Sequence, residues 1–336
     1  MRAVKGLSCG VAALLLLLAA PCARAEVGEV RIVRQGDFGD LPLLVAEHEK
    51  LIEKHADMMG LGEVTVRWLG PGKNGTVEAI GSGQSDLAAL DVAAFVAAWD
   101  EKTGTEQEIR ALAALEQLPY VLVSRNPNIQ TIRDFKDKDR IAVPALRASG
   151  PALLLQMAAA QEWGDARFNK FDLLVTARPD AEVAAALLSG KGDADSHFSR
   201  MPYADNELAS PKVHRVMDSF DVAGPHSSAA LIASARFHDA NPMLCSAILA
   251  AIEEAMDLIK DNPGDAAEIY TSMVKDQAIT VEDLADMIGD PDLGYTTVPA
   301  GVLRIAEFLH RTGQIKHRPA SWQELFFSEA HNLPGS

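Results

Sequence analysis

The sequence predicts an α/β chain of two lobes, each built on a mainly parallel sheet and joined to the other by two hinge crossings. Three observations carry that expectation. Short alternating or apolar runs at residues 30–34, 64–69 and 86–90 are each followed by a polar turn and then a helical stretch, as successive βα units require. The long apolar run 112–124, and later 215–220 and 229–234 around a Gly-Pro turn, are suited to carry the chain from one sheet into another and back. After the second of these the pattern is helical. In such a fold ligands belong at the carboxyl ends of the strands.

Taken in order, 30–34 (VRIVR) reads as a strand, 35–40 (QGDFGD) as a loop and 41–59 as a helix stopped at Gly60. Residues 64–69 (VTVRWL) form the next strand, 70–75 (GPGKNG) a loop, and 76–81 start a helix. Strand 86–90 closes on Asp91, with a helix at 92–99. Residues 140–144 are a strand that feeds the segment 143–157, VPALRASGPALLLQM. There Ser149 is placed to cap a helix, Pro151 sits in the first turn where a missing N–H costs nothing, and 153–157 supply a buried face. Further on come a strand at 171–175, a helix at 181–189 and a strand at 193–196 leading into 197–203. Helices are expected at 242–260, 263–273, 281–288 and 300–310. No internal repeat interrupts this order.

The first 25 residues are a separate object: Arg2 and Lys5 precede an apolar run, and Ala23-Arg24-Ala25 is an A-x-A cleavage site. The mature chain is therefore expected to start at Glu26 and to be exported to the periplasm. Cys22 follows Ala19-Ala20-Pro21, a poor context for a lipid anchor. With Cys9 and Cys22 gone, Cys245 is the one thiol left, and a structural, buried role suits it. The net charge of −16 becomes −19 on loss of Arg2, Lys5 and Arg24, which argues against nucleic acid and anionic membranes as partners. A small anionic ligand stays open, because local donors decide its binding.

Four loops are placed to line a cleft. Gln35, Asp37 and Phe38 follow the first strand, with Phe38 offering a ring to stack on a solute. Lys73, Asn74, Gly75 and Thr76 open a helix whose amides can hold an oxyanion, and Asp91 either caps its helix or touches the ligand. Arg147 and Ser149 stand where helix amides and dipole favour an anion, and Arg147 brings a planar fork for a carboxylate or sulfonate. His197, Ser199 and Arg200 sit just past the strand 193–196, opposite the first lobe, and His226, with Ser227 and Ser228, serves as hinge or ligand contact at the second crossing. Three cations, Lys73, Arg147 and Arg200, suggest an anionic head group. His48-Glu49 and His55 lack the i, i+4 spacing that places two imidazoles on one metal, so neither metal nor cofactor is expected. No G-x-S-x-G, Walker or G-x-G-x-x-G motif supports a catalytic reading.

These pieces in order resemble the substrate-binding proteins of ABC importers, of the nitrate, sulfonate, taurine and thiamine-precursor group with the type II periplasmic-binding fold. The resemblance rests on Phe38-Gly39, on the run Ala79-Ile80-Gly81-Ser82-Gly83-Gln84-Ser85-Asp86-Leu87, and on Asp134-Phe135-Lys136 followed by Ile141-Ala142-Val143-Pro144. It continues through Leu187-Leu188-Ser189-Gly190-Lys191-Gly192-Asp193-Ala194, Asn262-Pro263-Gly264-Asp265-Ala266-Ala267 and the tail 315–327. Many relatives carry a Trp and an acid after the Asp-Ala pair, where this chain has Asp195-Ser196-His197-Phe198-Ser199-Arg200. The resemblance implies a monomeric, non-enzymatic receptor that closes on a small solute and presents it to a membrane permease. The two crossings, near residues 115–124 and 217–232, divide the chain into lobe 1 (26–117 and 224–336) and lobe 2 (118–223). The alternatives are an enzyme of pyrimidine metabolism on the same scaffold, or an exported sensor subunit of a membrane receptor.

Overall fold

The computed structural model describes residues 26–71, 75–146, 149–274, 279–290 and 294–336. Residues 1–25, the expected leader with Cys9 and Cys22, and three of the predicted site residues, Lys73, Asn74 and Arg147, lie outside the described residues.

Two five-stranded sheets organise the described residues. The first contains β1 (Glu29–Val33), β2 (Thr65–Leu69), β3 (Leu87–Asp91), β4 (Ile109–Glu116) and β10 (Ala229–Ser234), in the order β2-β1-β3-β10-β4. The second contains β5 (Tyr120–Ser124), β6 (Ile141–Val143), β7 (Val175–Ala177), β8 (Ser196–Arg200) and β9 (His214–Asp218), in the order β7-β6-β8-β5-β9. Strands β1, β2 and β3 are parallel, and β10 runs antiparallel to both β3 and β4. The second sheet repeats the plan: β6, β7 and β8 are parallel, and β5 opposes β8 and β9. In each sheet the single reversed strand is the one that arrives from the other sheet. This is the two-sheet, mostly parallel α/β plan that the run of βα units predicts.

The strands read as apolar runs because helices cover both faces. Leu87, Ala88 and Ala89 of β3 and the Ala230–Ala233 stretch of β10 are all buried. The twenty-residue helix Pro242–Asp261 buries Leu244, Ile248, Ala251, Ile252 and Ala255 along one stripe against the layer that carries Leu51 and Ile52. Some boundaries differ from expectation. The helix expected over 41–59 is two, Leu41–His48 and Leu51–Met58, broken where Lys50 adopts φ 53. The strand expected at 171–175 begins only at Val175, since Phe171 turns inward to pack on Phe135 and Trp163. Strand β8 starts at Ser196 and so takes in His197, Ser199 and Arg200, which the sequence reading placed after the strand.

The chain passes between sheets after Glu116 and again after Asp218, and the two passages are tied together. Tyr120 N donates to Ser219 Oγ at 3.0 Å, and Ser219 Oγ lies 3.0 Å from His226 Nε2. Ser228 Oγ donates to Leu118 O at 2.8 Å.

Candidate functional site: a cleft between the two sheets

The carboxyl ends of β1, β3 and β4 bring Asp37, Asp91 and Glu116 to the boundary between the sheets. The carboxyl end of β8 and the starts of two helices, Gly150–Trp163 and Asp180–Ser189, meet them from the other side. Arg200 is the central group. Its Nη1 lies 2.9 Å from Asp37 Oδ2, and its Nε donates to Asp180 Oδ2 at 3.1 Å. Asp37 Oδ1 accepts from Gly39 N at 3.0 Å, so the turn that follows β1 is folded around the carboxylate that meets Arg200.

Behind Arg200 the charges alternate inward. Asp180 Oδ1 lies 3.2 Å from His197 Nε2, and His197 Nδ1 lies 2.8 Å from Glu207 Oε1. Burial alone would lower the imidazole pKa, but Asp180 and Glu207 outweigh it and raise it to about 9. His197 is therefore a buried cation that faces away from the cleft and orients Arg200 through Asp180. Ser199, also fully buried, lies on the same face of β8 as His197.

On the first sheet's side the carboxylates crowd. Burial, with the charge of Asp37 added, pushes Asp40 up to about 7. Burial, eased by the Leu118 N–H, leaves Glu116 at about 8. A Cβ on Gly39 would lie 3.2 Å from Asp37 Oδ1 and 3.3 Å from Glu116 Oε1, so the bare glycine lets both approach. The space left among Gly39, Glu116, Tyr120, Arg200 and Ser228 is about 10 Å³, room for roughly one water.

Asp91 closes the other end. Its Oδ1 accepts from Ala93 N at 2.8 Å, capping Val92–Lys102, while Oδ2 accepts from Gly150 N at 2.8 Å and from Tyr120 Oη at 3.1 Å. Ser149 caps the Gly150–Trp163 helix, accepting from Ala152 N, and Pro151 stands in its first turn, as the sequence predicts. Beyond Ser149 opens a cavity of about 570 Å³ between the Val92–Lys102, Gly150–Trp163 and Val302–Arg311 helices. Its walls are mainly apolar, with Leu153, Phe168 and Leu309, and it carries the amides of Gln156 and Gln314, which bond each other at 3.1 Å.

The remaining predicted residues are scattered. Gln35 donates to Ala89 O at 3.0 Å and to Thr76 Oγ1 at 3.3 Å, which places it beside the end of β3. Gly75, at φ +91, precedes the helix that Thr76 begins. Phe38 offers no ring to the cleft: it is 1% exposed and packs edge-on against Tyr270 and Tyr295. His226 lies at the second crossing, parallel to the Tyr120 ring at 6.4 Å, and burial lowers it to about 4, so it is neutral. His48 and His55 engage separate carboxylates, Glu49 and Glu254. The sequence reading missed Glu116, Tyr120, Asp180 and Asp40. Glu116 did leave a signal, as a lone acid within the apolar run 111–118.

Comparison with solved structures places the architecture. The aliphatic sulphonate binding protein SsuA of Escherichia coli superposes with a TM-score of 0.67 at 18% identity, over 90% of this chain and 93% of that one. The alkanesulfonate-binding protein of Xanthomonas axonopodis pv. citri gives 0.65 at 15%, over 88% and 96%. The nitrate-binding protein NrtA of Synechocystis PCC 6803 gives 0.63 at 16%, over 88% and 83%. At these identities the likeness is one of fold, the periplasmic-binding fold. A search of curated proteins gives no match. The family model described as NMT1/THI5 like matches residues 63–266, well over half of the sequence, and the chain accordingly belongs to the NMT1/THI5-like family.

Proposed function

We propose that the mature chain, from Glu26 onward, is a periplasmic solute receptor that hands a small organic solute to the permease of an ABC importer and performs no covalent chemistry itself. Lobe 1 (26–117 and 224–336) and lobe 2 (118–223) close on the solute as a monomer, and differential affinity for the closed form drives the equilibrium. The observation that carries this reading is the cavity of about 570 Å³ walled by helices of both sheets and ending at Ser149. Its size suits a small organic molecule, and its lining combines apolar side chains with the polar groups of Ser149, Gln156, Asn169, Asp172 and Gln314. The sulfonate- and nitrate-binding proteins that share the fold support the same class of solute.

A thermal-shift panel of alkanesulfonates, taurine, nitrate, carboxylates and pyrimidines tests the reading, because a ligand held only by the folded chain raises its melting temperature by mass action. At least one acid-bearing solute is expected to shift the transition, with the stoichiometry confirmed by titration calorimetry. A silent acid panel, or tight binding of only a cation or a neutral sugar, overturns the anionic assignment. Turnover of a panel member by the purified protein overturns the non-enzymatic one.

A further inference from the structure

We infer that Asp91 is an internal latch: it holds the cleft shut with the chain's own carboxylate and competes there with the acid group of an incoming solute. The inference rests on reading the gap between the sheets as the solute cleft. Asp91 ends β3 of the first sheet, yet its Oδ2 lies 2.8 Å from Gly150 N and 3.1 Å from Tyr120 Oη, groups that belong to the helix and strand of the second. Oδ1 remains on Ala93 N at 2.8 Å, so one carboxylate joins the first turns of two helices from opposite sides of the gap.

The neighbourhood is shaped for that contact. A Cβ at position 150 would stand 2.9 Å from Asp91 Oδ2 and 2.8 Å from Tyr120 Cε2, so only glycine admits the carboxylate. The Asp37–Arg200 pair spans the same gap at 2.9 Å, and a space of about 10 Å³ lies against Tyr120 and Arg200. Each bridge uses donors that would serve an anionic head group. A solute acid therefore enters by exchange with Asp91, and its apparent affinity is reduced by the fraction of chains in which the latch is shut.

The test reads closure with no solute added. The full mature chain carries spin labels at Met58→Cys and Leu173→Cys, positions 70% and 91% exposed on the layers of the first and second sheets. Cys245 is fully buried, and its thiol, pushed up to about 12 by burial, stays unlabelled. The parent is expected to show one short distance by pulsed electron resonance. Asp91→Ala should add a longer-distance population above about 10%. Asp91→Asn, which keeps a side-chain oxygen for the Ala93 cap, should do so to a smaller extent, and circular dichroism confirms that each variant is folded. Distance distributions for both variants that superimpose on the parent overturn the latch, as does a parent that is already open. Since no solute is present, opening of the variants beside a silent solute panel would refute the transport reading alone.

Discussion

At the scale of single residues, Arg200 and His197 are tied together by Asp180. Arg200→Ala strips two carboxylates of their partner at a position about one-third exposed, so the expected cost in stability is on the order of 1–3 kcal/mol, read by denaturant unfolding. Solute binding should fall with it. For His197 the pH dependence is distinctive. The folded imidazole is raised to about 9 from 6.5, so its contribution is complete below about 6.5 and is lost as pH rises through 9. Glu116, raised to about 8 from 4.5, keeps its proton in the fold after the unfolded chain has released it, so its share also declines between those values. The two slopes have the same sign from pH 6.5 to 8, and the melting temperature should fall across that window. His197→Gln should flatten the fall, by up to about 3 kcal/mol over the full titration. Phe38→Ala separates core from contact: with its ring buried against Tyr270 and Tyr295, it should cost about 3–5 kcal/mol of stability while leaving the affinity of the folded protein little changed.

At the scale of elements, what was legible followed local chemistry. Ser149, Gly150 and Pro151 announce a helix start in three letters, and the structure places a cap and a first-turn proline there. Asp91 before an alanine-rich stretch announces another. Most of strand β8 was hidden because Ser196, His197, Ser199 and Arg200 are polar; their partners, Ser124, Glu207 and Asp180, come from other elements 10 to 72 residues away. The acids at 40, 116 and 180 were missed because what makes them part of the candidate site is their burial around Arg200. Ser149→Ala should cost about 1 kcal/mol of unfolding free energy through the lost cap. Gly150→Ala should destabilise the fold and also displace Asp91, visible as a lengthened spin-label distance in the doubly labelled chain, because the added methyl meets Tyr120 and the carboxylate below 3.0 Å.

At the scale of the molecule, the two sheets share one plan, with a reversed strand in the fourth position of each. The predicted crossings were readable from two apolar stretches, while the strand order was not, because it depends on pairings between segments more than a hundred residues apart.

That reversed strand also fixes a timetable. All five strands of the second sheet lie within residues 120–218, whereas the first sheet waits for 229–234 to slide between β3 and β4. On a growing chain the inner sheet can be complete while β3 and β4 still present unpaired edges, the condition that invites strand addition from other chains. The piece of sequence that finishes the first sheet is among the last strands made, and a chain stopped before Ala229 should aggregate through those two edges even though its second sheet is whole.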